Sequence, residues 1–508
     1  MQVDAEAAHI PSPRSTVAAP TVAADVELEP DICWQAMRSR DPRFDGRFFV
    51  GAITTGIYCR PVCPVPFAKP NNIALFPCAA AAEAAGFRPC RRCHPETAPG
   101  TPAWTGTSTV VARALRLIWD GALDAGSVEQ LAEQVGIGSR QLRRLFIQHL
   151  GVAPTKIAST HRLHFAQNLI EQTDMPMAEI AFNSGFRSIR QFNHALLTTV
   201  GRSPRELRRL RDKLAIPSRP GELAMRLSYR PPFHWPALIR FLESRATPGV
   251  ELVTADCYQR TVDSEAGAGV IEVRPDPKEP CLNVRITLPK YNGLLRVVQR
   301  VRRMFDLEAD PLHIETHLSR DPRLRPLLKR RPGLRVPGVW DVFEIAVRTA
   351  LGQRLTAVDS NEVARQLVEK FGRKTQPLVG RLTHLFPRPD NLVDADLSLS
   401  GICQERAGLI RALARGVFGQ QLTTESSRPL QDTTSQLSTI DGMSQEMAQY
   451  IAMRAFGEPD AFPLDETLTD WLSPGEIPTS ERAFCIAEDC RPWRAYAAMH
   501  IWADSAGL

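Results

Sequence analysis

Four cysteines, Cys59, Cys63, Cys90 and Cys93, form a C-x3-C pair and a C-x2-C pair, the first within Gly56-Ile-Tyr-Cys-Arg-Pro-Val-Cys63. Two close pairs separated by an intervening segment can assemble four thiolates around one tetrahedral Zn²⁺. Thiolates bind the ion deprotonated, and the ion itself lowers their pKa. Four of them leave a net charge of −2, so the sulfurs stay nucleophilic unless hydrogen bonds damp them. Spacing alone favours a closed structural knot, and a reactive thiolate starts from the same spacing. Cys33 and Cys78 have no partner at ligand spacing and read as buried thiols.

Each of these groups needs a scaffold, and the chain is long enough for several. Its 508 residues, 43% hydrophobic and 23% charged, exceed what one core can organise and predict three or four domains. The net charge of +6 is uneven, with arginine clusters at 140–144, 202–211 and 320–335 that read as anion-binding faces. Eleven cysteines in so long a chain do not suggest a disulfide scaffold. No signal peptide is evident and no apolar run reaches membrane-spanning length, so a cytoplasmic protein is expected.

Residues 1–28 read as a disordered tail of Ala, Pro, Ser, Thr and Val. The cysteine block follows, with a strand-like stretch over Arg47–Tyr58 and a helix over Ala79–Gly86. After a linker at Pro99–Pro102, residues 108–212 show amphipathic helices separated by glycine turns. Ser127–Phe146 reads as helix, glycine turn, helix, and Met177–His194 repeats the pattern after a long helix at about 155–172. A second linker covers 216–221. Strand-type alternation then appears at Cys257–Val262, Gly269–Val273 and Cys281–Leu288, with a helix near 292–305. From 338 onward the sequence reads as almost wholly helical.

The neighbours of the cysteines separate the two zinc readings. Phe44-Asp-Gly-Arg-Phe-Phe-Val-Gly51, Thr54–Cys63 and Ala85-Gly-Phe-Arg-Pro-Cys-Arg-Arg-Cys93 closely resemble the N-terminal domain of the Ada family. That resemblance implies a zinc domain that removes methyl groups from methylphosphotriesters in DNA. It implies Cys59 as methyl acceptor and Cys63, Cys90 and Cys93 as the remaining ligands. Methylation would take the cluster from −2 to −1, lowering repulsion from the phosphate backbone and raising DNA affinity.

The paired helical repeats, closed by Gly201-Arg-Ser-Pro204, resemble an AraC-type DNA-binding domain. A helix of this kind lies in the major groove. The candidate groove contacts are Arg140, Arg143 and Arg144 in the first copy, and Arg187, Ser188, Arg190 and His194 in the second.

Tyr229-Arg-Pro-Pro-Phe-His-Trp235, Arg331–Gly338, Ala350-Leu-Gly-Gln353 and Pro492–Trp502 resemble the AlkA family of 3-methyladenine DNA glycosylases. Such enzymes flip a damaged base into an aromatic pocket and stabilise the charge developing on the sugar with a carboxylate. Cationic alkylated bases suit aromatic faces, and Tyr450, Trp493 and Tyr496 are the candidates for that pocket. Where the family carries a Pro-Gly-x-Gly hairpin that grips a phosphate, this chain has Asp441-Gly-Met-Ser444, and Glu446 stands where an aromatic is normal. Ser444 falls where a glycine's freedom in φ is expected. Aligned without a gap, the catalytic carboxylate falls on Glu466; a one-residue shift gives Asp465.

The expected architecture is multidomain and mainly α: a zinc-binding methyl-acceptor domain (29–99, small α+β), an AraC-type all-α double helix-turn-helix domain (106–213), an AlkA-like α+β domain (224–305) and an all-α helix-hairpin-helix domain (306–508). Two functions remain open. One is a repair protein that takes methyl groups on Cys59, activates transcription and excises alkylated bases. The other is a methylation-sensing regulator whose glycosylase-like half is inactive. Either implies one Zn²⁺, alkylated and promoter duplex DNA and RNA polymerase as partners, no membrane and a monomer. The Pro-Cys-His-Arg motif of O6-methylguanine transferases is absent, so that repair is not expected.

Overall fold

The stretch Arg47–Tyr58, strand-like from end to end in sequence, folds back on itself. In the computed structural model, β1 (Phe49–Ala52) pairs antiparallel with β2 (Ile57–Cys59), and Gly56 at φ +64 makes the turn. The structure describes residues 29–66, 68–99, 109–210, 221–352, 355–419, 430–472 and 487–507. The predicted tail 1–28, most of both linkers and Gln353 lie outside them.

β3 (Ile73–Phe76) flanks β1, and the short β4 (Arg88–Pro89) runs parallel to β2, giving the order β3-β1-β2-β4. Tyr58 pairs with Pro89, so Cys59 and Cys90 leave neighbouring strands side by side. Register alone brings the two cysteine pairs together.

The helical block is a true internal repeat. The helix Ser139–Leu150 buries Leu142, Phe146 and Leu150, and fifty residues later Ile189–Val200 buries Phe192, Leu196 and Val200. Gly151 and Gly201 end the two helices in left-handed conformation, which a residue without Cβ adopts freely. The long helix Pro154–Gln172 spans both copies.

A five-stranded antiparallel sheet follows, comprising β5 (Glu222–Ser228), β6 (Glu251–Thr254), β7 (Cys257–Ser264), β8 (Gly267–Pro275) and β9 (Cys281–Thr287) in the order β5-β9-β8-β7-β6. The helices Trp235–Glu243 and Leu294–Met304 pack their apolar residues into its core. The remainder is mostly helical, with one correction. β10 (Arg373–Val379) and β11 (Leu382–Leu385) form a hairpin where helix was expected. Gly372 stops the preceding helix, Gly380 at φ +50 makes the turn, and the Thr261 hydroxyl ties the hairpin to β7 by donating to the His384 carbonyl at 2.6 Å.

The blocks are not beads on a string. One apolar core runs from Leu163, Phe192 and Leu207 of the helix-turn-helix region into Leu223, Met225 and Val284 of the large sheet and on to Met499. Buried charges seal the other joints. Arg116 pairs with Glu458 at 3.0 Å and Arg47 with Asp310 at 2.9 Å.

Glu83 joins the cysteine block to the long helix. Its carboxylate accepts from the Tyr58 hydroxyl at 3.1 Å, Lys156 Nζ at 3.1 Å and the Thr160 hydroxyl at 2.7 Å, and His164 Nε2 lies 3.1 Å away. Burial would raise this carboxyl, but the hydrogen bonds and charges of His164 and Lys156 outweigh it and hold it at about 2. A carboxyl depressed in this way stabilises the joint above its ordinary value of 4.5, and the contribution is lost as pH falls toward 2. Replacing it leaves buried donors without an acceptor. Glu83→Ala is therefore expected to weaken the joint by about 3 kcal/mol, read as faster amide hydrogen exchange across 154–172 at neutral pH.

Candidate functional site

The sulfurs of Cys59, Cys63, Cys90 and Cys93 all lie within 4.8 Å of one another. Tetrahedral zinc with Zn–S bonds of about 2.3 Å needs thiolates about 3.8 Å apart, so the cluster fits the ion. The four sulfurs are not equivalent. Cys63, Cys90 and Cys93 are buried, whereas Cys59 is half-exposed. Backbone N–H groups of Val65, Arg92 and Arg60 face the sulfurs of Cys63, Cys90 and Cys93, the last at 3.4 Å. Among the described residues Cys59 has no such donor. Hydrogen bonding removes electron density from three sulfurs and leaves the approachable one undamped.

Arg60 completes the support. It bonds Asp45 at 2.8 Å, the Cys93 carbonyl at 3.1 Å and the Thr97 hydroxyl at 2.9 Å, tying the loop after Cys59 to the second cysteine pair. Cys33 and Cys78 are buried, as expected, and burial pushes their thiols up to about 11 and about 12.

On the two short helices, Arg140, Arg143 and Arg144 are exposed, as are Arg187, Ser188, Arg190 and His194. Three of them already have work within the fold, Arg187 by donating to the Asp124 carbonyl at 3.4 Å. Arg143 pairs with Glu129 at 2.8 Å, and the Ser188 hydroxyl caps its helix by accepting from Gln191 N at 3.1 Å. An exposed pair of this kind contributes roughly 0–1 kcal/mol, so Arg143 remains available to a phosphate.

In the C-terminal half a cavity of ≈ 970 Å³ opens between the large sheet's domain and the helices. Asp465 lies in its wall. The Trp502 indole N–H donates to Asp465 Oδ2 at 2.8 Å, and Leu468 N donates to Oδ1 at 2.8 Å. Burial raises this carboxyl above its usual value despite those donors. Glu466, the choice of an ungapped alignment, is instead exposed at the first residue of the helix Glu466–Leu472 and does not line the cavity. Asp465 directly precedes that helix, and its short side chain turns back onto the helix's free N–H groups while the next residue turns out.

Tyr450 lines the cavity as expected, while Trp493 and Tyr496 do not. Both are buried around a second cavity of ≈ 440 Å³, where the Tyr496 hydroxyl donates to Asp306 at 2.8 Å and Trp493 packs edge-on against Tyr496 at 5.8 Å. Helix geometry accounts for the correction. Trp502 is nine residues beyond Trp493, about two and a half turns, and so faces the opposite way. Trp502 is the aromatic that reaches Asp465, and it packs against Tyr450 at 6.2 Å.

Five arginines missed in sequence also line the cavity: Arg245, Arg260, Arg348, Arg406 and Arg454. Arg454 donates to the Tyr450 hydroxyl at 2.7 Å, and its charge with that of Arg245 pulls the buried phenol below its usual value against burial. The four-residue spacing of Tyr450 and Arg454 is the signal that could have found the pair.

The hairpin departs less than its sequence suggests. Ser444 has φ −79 and caps the helix Gln445–Phe456 by accepting from Met447 N at 3.2 Å, while Gly442 takes the positive φ of +85. Serine is therefore no strain at that place.

Three family descriptions match: "Metal binding domain of Ada" over 32–96, "Helix-turn-helix domain" over 131–210 and "AlkA N-terminal domain" over 224–341. The chain is 38% identical to the probable bifunctional transcriptional activator/DNA repair enzyme AlkA of Mycobacterium tuberculosis, over 92% of its own length and 95% of the relative's. It is 29% identical to DNA-3-methyladenine glycosylase 2 of Escherichia coli, over 54% of this chain and 95% of that one. The 3-methyladenine DNA-glycosylase of Archaeoglobus fulgidus shares the C-terminal fold with TM-score 0.50 and 18% identity, over 56% of this chain and 98% of that one.

Replacing Cys63 or Cys90 with serine is expected to lower bound zinc from one ion per chain to none, measured by elemental analysis of the purified protein, while the chain's C-terminal half stays folded by proteolysis.

Proposed function

The chain belongs to the family of AlkA-type bifunctional transcriptional activators and DNA repair enzymes, and on that premise we propose that it accepts methyl groups from DNA phosphotriesters on Cys59 and excises alkylated bases with Asp465. Bound zinc would keep the four thiols ionised and the Cys59 sulfur nucleophilic. Cys59 Sγ attacks the methyl carbon, an S–C bond forms, the C–O bond breaks, and a phosphodiester anion leaves. The half-exposed, undamped Cys59 among three buried sulfurs is the observation that carries this half of the reading.

For base excision, Tyr450 and Trp502 offer aromatic faces to a flipped base, and Asp465 stands ready for the positive charge that develops at C1′. The bond from C1′ to the base breaks with its electron pair going to the base, and water adds at C1′. A buried carboxylate held by the Trp502 N–H and the Leu468 N–H is fixed before the charge appears, which is what electrostatic stabilisation requires. The position of Asp465 and the unstrained Ser444 favour this active reading over a retired glycosylase.

The exposed arginines of the two recognition helices, Arg140, Arg143, Arg144, Arg187 and Arg190, with His194, would position promoter DNA. Ser188 serves chiefly as a cap. RNA polymerase recruitment, a monomeric state and a cytoplasmic location belong to the same proposal. None of the ten described cysteines is in a disulfide, which suits a reducing compartment, and no described helix is long and apolar enough to cross a membrane.

Two measurements test the reading. After incubation with methylphosphotriester DNA, mass spectrometry should find one methyl on the peptide bearing Cys59 and none in Cys59→Ser. Asp465→Asn should lower release of methylated purines on the order of 10²–10³-fold, while Glu466→Gln stays within a few-fold of wild type. Because Asp465 must be ionised and burial raises its pKa, activity should fall on acidification at a higher pH than an ordinary carboxylate would give.

A further inference from the structure

The helix Gln445–Phe456 presents one stripe to the ≈ 970 Å³ cavity: Glu446, Tyr450 and Arg454, at four-residue intervals. Tyr450 and Arg454 are engaged with each other. Glu446 is not engaged with anything: among the described residues it has no hydrogen-bond or ion-pair partner.

Most of the cavity's other charges are engaged within the fold; Arg406 stands in the wall, and Arg245 lies over the Phe241 ring and donates to the Ser244 hydroxyl at 2.9 Å. Arg260 bonds Glu344 at 2.6 Å, and the Tyr258 hydroxyl donates to Glu251. Arg348 donates to the Thr247 hydroxyl at 2.9 Å, the Arg245 carbonyl at 2.8 Å and Asn361 at 2.6 Å. Arg454 donates to the carbonyls of Pro337 and Gly338. Asp465 is held by neutral N–H groups, while Glu405 on the cavity wall, like Glu446, has no hydrogen-bond or ion-pair partner among the described residues. Of the two unpaired glutamates, Glu446 is the one close enough for Asp465 to act on it. Burial and the charges of Asp465 and Glu466 raise its carboxyl.

We propose that Glu446 is a specificity residue of the base cavity, selecting purines that carry a positive charge from N-alkylation over neutral damaged bases. This rests on the reading of Asp465 as the working carboxylate. A flipped cationic base held against Tyr450 and Trp502 meets an uncompensated carboxylate at Glu446, whereas a neutral base of the same shape gains nothing from it and must still fill a partly charged site.

The direction of charge flow decides which kinetic parameter Glu446 controls. When the C1′–N bond breaks, its electron pair neutralises the base and the positive charge moves to the sugar, beside Asp465. Water then adds to C1′ and releases a proton to solvent. Glu446 therefore attracts the ground state more than the transition state, and interactions of that kind lower KM without raising kcat. The released base is neutral and no longer attracted, which helps it leave. Asp465 acts in the opposite sense, on kcat.

The experiment uses the full chain and two duplexes differing in one purine, 7-methylguanine as the cationic base and hypoxanthine as the neutral one. Wild type, Glu446→Gln, Glu446→Asp and Asp465→Asn are compared by single-turnover base release. A charge pair at a partly solvated site supports a preference of about tenfold. Glu446→Gln should therefore shift the ratio of the two half-saturating concentrations about tenfold, to the disadvantage of 7-methylguanine. The loss should be carried by the half-saturating concentration of the cationic duplex, and Glu446→Asp should restore most of it. An unchanged ratio in Glu446→Gln, with wild type active and Asp465→Asn inactive on both, overturns the assignment of Glu446. No release of either base by wild type overturns the reading of Asp465 itself and this inference with it.

Discussion

The continuous apolar core from the long helix Pro154–Gln172 into the large antiparallel sheet is the constraint on which everything else hangs. A helix-turn-helix repeat this small buries little on its own. Here its second copy shares Phe192, Leu196 and Leu207 with Leu223, Met225 and Val284, so the helix-turn-helix repeat and the glycosylase-type domain are one packed unit. The charged joints at Arg116–Glu458, Arg47–Asp310 and Glu83 then bring the remaining faces to that unit. Buried ion pairs add little net stability but are costly to break, and so they fix one arrangement rather than many.

Within that arrangement the two proposed reactive groups are prepared by opposite means. Cys59 is left reactive because its surroundings withhold hydrogen bonds that its three neighbours receive. Asp465 is made useful because its surroundings supply them, from Trp502 and Leu468, and so hold its carboxylate still. A nucleophile benefits from undelocalised charge, whereas a group that stabilises charge benefits from being fixed in advance. Tyr58 adjoins Cys59 and bonds Glu83, so the Cys59 sulfur is one residue from the joint with the long helix.

Much of this was legible in sequence where the signal is local. The cysteine spacing, the two helix-turn-helix copies and three of the large sheet's five strands follow from motif and periodicity, those at Cys257, Gly267 and Cys281 lying close to where alternation placed them, while Glu222–Ser228 and Glu251–Thr254 went unread. What failed depended on direction rather than identity. Trp493, Tyr496 and Trp502 form one aromatic run, and only helix phase separates the residue that faces Asp465 from the two that face Asp306. Asp465 and Glu466 are adjacent carboxylates at a helix start, distinguished by which one turns back onto free N–H groups. The β10–β11 hairpin was lost because Gly372 read as an ordinary turn between helices. The joints are non-local: Glu83 and His164, eighty-one positions apart, give no sequence cue that they meet.

The most direct test of the account is a crystal structure of the full chain on duplex DNA carrying one pyrrolidine abasic nucleotide, whose ring nitrogen reproduces the positive charge of the departing sugar. That nitrogen should lie within hydrogen-bonding distance of Asp465, with Trp502 still donating to the same carboxylate and Glu466 in solvent. A ring nitrogen held by Glu466, or a nucleotide that stays stacked in the duplex with the cavity empty, would contradict it.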